Sequence, residues 1–85
     1  MSVAELREAV NGAIAESAQL QAFLRTIKGE IELIQARMAT VGEGSSQQTL
    51  QAAYDALSIA ATNTQYAIDQ LETVKSEYYD YLAGV

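Results

Sequence analysis

Carboxylates are the side chains of this sequence that come nearest to a catalytic or metal-binding arrangement. Glu5 with Glu8, and Asp69 with Glu72, stand three residues apart, a spacing that puts both members of a pair on one face of a helix. An acid–base pair or a metal site in a helical bundle uses that arrangement, but it needs companions that are missing. The chain contains no histidine, cysteine or tryptophan, which removes the commonest general base, the strongest nucleophile and the usual zinc ligands. Among the hydroxyls, Ser45 and Ser46 have no base beside them and suit a helix cap. Gly42-Glu43-Gly44 is too short for a phosphate-binding loop and follows no strand. The expectation is a protein that is not an enzyme and has no catalytic residue, cofactor, metal or small-molecule substrate, its paired acids simply facing water.

The elements that would carry any site are two long helices. Val3, Leu6, Val10, Ala13, Ser17, Leu20, Leu24, Ile27, Ile31, Ile34, Met38 and Val41 alternate spacings of three and four, and only Ser17 among them is polar. A second stripe follows at Leu50, Ala53, Leu57, Ala60, Thr64, Ala67, Leu71, Val74, Tyr78 and Tyr81. Seven-residue apolar repeats of this length specify helices that lie along one another. Folding the chain back at its central glycines pairs residues whose numbers sum to 91, which sets Met38 against Ala53, Ile31 against Ala60, Leu24 against Ala67 and Ser17 against Val74. Bulky residues then meet slight ones layer by layer, as interdigitating helices require. The predicted fold is all-α: an antiparallel, coiled-coil-like two-helix hairpin in one domain, residues 1–85, with helix 1 about 3–41, a loop at 42–46 and helix 2 about 47–82.

Local signals agree with these bounds. Ser2 followed by Glu5, and Ser45 followed by Gln48, have the spacing of a capping box. Gly84 marks the C-terminal stop, and the absence of proline leaves nothing to kink either helix. Gly12 and Gly29 fall inside the first helix, each costing about 1 kcal/mol relative to alanine. They read either as tolerated weak points or as places where another chain comes close.

A two-helix rod about 60 Å long has no interior beyond its seam, so apolar residues off the seam bear on assembly. Ile14, Tyr54, Ile68 and Leu82, with Tyr79 beside them, line one expected shoulder; Phe23, Leu33, Ile59 and Tyr66 line the other. Either these residues thicken the seam or they contact other chains in a four-helix bundle, a heterocomplex or a polymer. Those nine are the candidate protein-interface residues, and Ile68→Asp is accordingly expected to weaken assembly while leaving the helices formed. Five of the six aromatics are tyrosine; Tyr78, Tyr79 and Tyr81 can close the open end of the hairpin, while Tyr54 and Tyr66 are better placed for an interface.

Net charge is −6, and in the second helix Lys75 stands alone against Asp55, Asp69, Glu72, Glu77 and Asp80. This balance disfavours nucleic acid, whose phosphates call for clustered bases, and anionic membranes. No segment has the length and apolarity of a bilayer span or the pattern of a cleaved signal peptide. The expected partner is protein, either a second copy or a helical partner chain. The expected location is cytoplasmic, or secreted without a cleaved signal peptide as part of a complex.

With two long helices, Gly44-Ser45-Ser46 after the first, Tyr81-Leu82-Ala83-Gly84 at the end and no cysteine, the whole chain resembles the WXG family of small type VII secretion proteins. It is similar too to short actinobacterial helical proteins that accompany secreted polymorphic toxins. Val41-Gly42-Glu43-Gly44 stands where that family has Trp-x-Gly, and no tyrosine is followed four residues later by Asp or Glu. The resemblance implies a hairpin that pairs with a similar hairpin, as partner or chaperone of a larger secreted protein. The residues alone leave open a self-assembling subunit of a filament or ring, or a plain dimer.

Overall fold

A computed structural model shows two helices folded back on each other, and it describes residues 1–42 and 48–84. Helix α1 runs Val3–Gly42 (40 residues) and α2 runs Gln48–Ala83 (36 residues). The expected loop at 42–46, its glycines beyond Gly42 and the second capping box at Ser45 lie outside the described residues, as do the side chains of Val41 and Gly42. The hairpin measures 63 × 17 × 15 Å, the length expected of 40 residues rising about 1.5 Å each.

Both outer helix ends form for the reasons written in their sequence. The Glu5 backbone N–H donates to Ser2 Oγ at 3.1 Å, and the Leu6 N–H donates to the Ser2 carbonyl at 3.0 Å, so Ser2 caps α1. At the far end the Gly84 N–H donates to the carbonyls of Asp80 and Tyr81, both at 3.2 Å, and the chain leaves the helix there. Gly12 and Gly29 have open space where a Cβ would stand, so within the hairpin neither permits a close approach.

The register follows the expected pairing and excludes a slip of one heptad. In that register Gln21 lies opposite Gln70, and its amide reaches the residues on either side of it. Gln21 Nε2 donates to the Ile68 carbonyl at 3.0 Å and to Glu72 Oε2 at 2.9 Å. Farther along, Gln35 Nε2 donates to Ser58 Oγ at 2.7 Å.

The rotation of the helices differs from the expected one. On α1, Val10, Ser17, Leu24, Ile31 and Met38 face the seam as read from the sequence, but the alternating row is Ile14, Gln21, Lys28 and Gln35. Leu20 and Ile34, expected inside, are 47% and 45% exposed. On α2, Leu57, Thr64, Leu71 and Tyr78 keep their places while Ala61, Ile68, Lys75 and Leu82 take the inner row, and Ala53, Val74 and Tyr81 are exposed. The layers that set Met38 against Ala53 and Ser17 against Val74 are therefore corrected. Polar seam residues are satisfied where they lie: Ser17 Oγ donates to the Ala13 carbonyl and Thr64 Oγ1 to that of Ala60, both at 2.7 Å, the usual resort of a hydroxyl inside a helix.

Since nothing in the hairpin touches Gly29, Gly29→Ala is expected to raise stability by about 1 kcal/mol, read from the midpoint of urea unfolding. A loss of stability would mean that another chain packs against that position.

Candidate interaction surface

Antiparallel helices with a shared seam present two long sides, and here the two differ completely in chemistry. On one side α1 contributes Leu6, Ala13, Leu20, Ile27 and Ile34. The adjoining edge of α2 contributes Ala53, Ala60, Ala67, Val74 and Tyr81. All ten are apolar or tyrosine, and among the described residues no charged side chain lies in either row. Leu6, Leu20, Ile34, Val74 and Tyr81 are each more than a third exposed, with Ala13, Ile27, Ala60 and Ala67 half-buried at the seam's edge. The result is one continuous apolar side running the length of the rod.

The opposite side is polar and internally paired. A shallow groove there is lined by Lys28, Glu32, Gln35, Ser58, Gln65 and Asp69, among others. Lys28 Nζ lies 3.5 Å from Glu32, and Gln65 Nε2 donates to Asp69 Oδ1 at 2.9 Å. Farther along, Lys75 emerges from the seam to sit 3.1 Å from Glu72 Oε2, its stem buried and its ammonium in water. The Gln21 amide and the Lys75 ammonium, with Arg25 adding at longer range, hold the Glu72 carboxyl below its ordinary value. Among the described residues no three His, Cys, Asp or Glu side chains are grouped to hold a metal, and no helix is long and apolar enough to cross a membrane.

The nine residues read from the sequence as an interface scatter over this framework. Ile14 and Ile68 are corrected outright: they are 8% and 4% exposed and form the centre of the seam with Val10, because the helices turn their row inward. Leu82 is half-buried in that same row, and Tyr54 extends it near the loop while remaining partly exposed. Phe23, Leu33, Ile59, Tyr66 and Tyr79 are all more than half exposed, but they are not one surface. Phe23 borders the apolar side of α1, Leu33 lies on the outer face of α1 and Ile59 on that of α2, Tyr66 lines the groove on the polar side, and Tyr79 is on that side too. The residues missed, Leu20, Ile34 and Val74, were hidden by their own regularity, since a perfect heptad row reads as seam. A signal was available in Gln21, Lys28 and Gln35, polar residues seven apart immediately beside that row.

The chain matches no protein-family model, no curated protein and no solved structure in the comparisons made.

Two outcomes follow from this placement. Ile68→Asp puts an unpaired carboxylate in the seam and is expected to cost about 3–5 kcal/mol, abolishing the helical circular-dichroism signal rather than only assembly. Glu72, whose carboxyl is depressed in the folded chain, contributes stability that is complete above the ordinary carboxylate range and fades as pH falls through the lowered folded value. The difference in melting temperature between the parent chain and Glu72→Gln should therefore shrink between about pH 7 and about pH 2.

Proposed function

We propose that this chain is a non-enzymatic interaction module: a helical hairpin that pairs with another helical hairpin through its apolar side, completing a four-helix bundle. The observation that carries this reading is an inversion of the usual economy of burial. Gln21, Lys28, Gln35 and Lys75 occupy the seam while Leu20, Ile34 and Val74 face outward. Hydrogen bonds from Gln21 and Gln35 hold that rotation, but in a solitary hairpin it leaves large apolar side chains in water. The pattern becomes consistent at every level once a second surface covers the outward row. Each helix of a four-helix bundle buries a broad apolar stripe against two neighbours, and each helix here has one neighbour in its own chain and an apolar row left for another.

The resemblance to the WXG family points the same way and suggests the biological setting: partner or chaperone of a larger secreted protein, either cytoplasmic or secreted without a cleaved signal peptide as part of a complex. A second reading, a self-assembling subunit of a filament or ring, draws on Leu33 and Ile59, which are 52% and 61% exposed on opposite outer faces of the rod. Contacts between unlike faces propagate unless the rotation closes them.

A photo-crosslinking residue placed at Leu20 or Ile34 should form adducts with a helical protein, whereas the same residue at Ala18 or Glu32, on the polar side, should not. Leu20→Glu is expected to weaken that association by about 100-fold while the far-ultraviolet spectrum stays helical. Equal adducts from both sides, or undiminished association of Leu20→Glu, would refute the reading.

A further inference from the structure

We infer that the hairpin has two positions: both helices can turn about their axes by about 50° and draw the apolar side into the seam, closing that surface whenever nothing covers it. The turn is a property of the single chain, and its use as a gate rests on the pairing reading above.

Each helix offers three neighbouring rows to a seam that takes two. One row stays inside in either position: Ser17, Leu24 and Ile31 belong to it on α1, and Leu57, Thr64 and Leu71 on α2. Its hydroxyls depend on nothing across the seam, since Ser17 and Thr64 donate to carbonyls of their own helices. The ion pairs travel with the helices as well, because Lys28 with Glu32 and Lys75 with Glu72 each lie within one helix. Gln21 and Gln35 are different. Their amides cross to the Ile68 carbonyl, Glu72 and Ser58, and the turn breaks those bonds.

Apolar burial pulls the other way. Turning brings Leu6, Leu20, Ile34 and Val74, each more than a third exposed, into the seam and sends out Ile14, Ile68 and Leu82. It also returns the Gln21 and Gln35 amides to water, which satisfies them. The turned seam meshes, bulky against slight, with Ile31 on Ala60, Ile27 on Thr64 and Leu24 on Ala67. Hydrogen bonds of modest net worth therefore hold one position against burial that favours the other. Two packings of one sequence this close in energy make a switch, and whatever binds one of them shifts the equilibrium by its preference. A partner on the apolar side holds the open position. Without one, closing takes the exposed row out of water.

Single thiols read the position, because the chain has no cysteine of its own. Leu20→Cys places one where the open position exposes it and the turn buries it; Ile68→Cys does the reverse; Leu24→Cys stays in the seam throughout. Removing the cross-helix bonds with Gln21→Ala/Gln35→Ala should slow alkylation by N-ethylmaleimide at position 20 by about tenfold and speed it at position 68 by about tenfold, leaving position 24 unchanged. Adding Ile34→Glu, which sets a charge in the row that would turn inward, should return all three rates to those of the parent. Destabilisation alone has no such rescue. Unchanged rates at positions 20 and 68, or faster reaction at all three positions, which is unfolding, would overturn the inference. In that event adducts from a photo-crosslinker at Leu20 would leave the pairing reading standing, and their absence would remove it too. Redistributed rates without any adduct would leave the turn and remove its use as a gate.

Discussion

The buried amide of Gln21 decides which residues this hairpin hides. It is 1% exposed and donates to the Ile68 carbonyl and to Glu72, so turning α1 to bring Leu20 inward would strip a buried amide of its partners. Water would take their place, so the rotation is held by the modest net gain of two hydrogen bonds, one of them to a charged carboxylate. A polar residue in a coiled-coil seam typically fixes register and orientation at some expense in stability, and Gln21 fixes both here. It holds the helices opposite each other near Gln70, and it turns the row Ile14, Gln21, Lys28 and Gln35 toward α2.

From that rotation the two sides of the rod acquire their characters. One long side keeps the polar network that begins at Gln21 and continues through Glu72 and Lys75. The other receives the leucines, isoleucines and alanines that the seam does not use. The seam itself buries few large apolar side chains: among the described residues Val10, Ile14 and Ile68 are the buried hydrophobic core. A rod of this shape encloses little volume for its surface, and most of the apolar content of its stripes remains available to a neighbour. That availability is the physical ground for proposing a larger bundle.

Much of this was legible in the residues. The seven-residue repeats announced two long helices, Ser2 announced where the first begins, and the sum-to-91 pairing gave the register that Gln21 and Gln35 satisfy. Which apolar rows stay exposed was less legible. Ile14 and Ile68 looked like shoulder residues because the neighbouring rows, Ala13, Leu20, Ile27 and Ile34 on α1 and Ala60, Ala67 and Val74 on α2, are apolar enough to pass for the seam. The regular spacing of Gln21, Lys28 and Gln35 marks a row worth noticing, but hydrophobicity favours burying Leu20, and the carbonyl and carboxylate waiting on the other helix are what bury Gln21 instead.

The order of residues along the chain thus settled the class of fold, the direction in which it doubles back and which positions meet across it. The class of fold follows from local periodicity and the register from folding the chain back at its central glycines, and both hold however either helix is turned about its axis. That turn was left to the assembled pair. Three adjacent apolar or mixed rows share a stripe, a seam between two helices takes two of them, and a rotation of about 50° exchanges the outer pair. Side-chain hydrogen bonds between the helices made that choice, because they exist only when both partners are present in three dimensions.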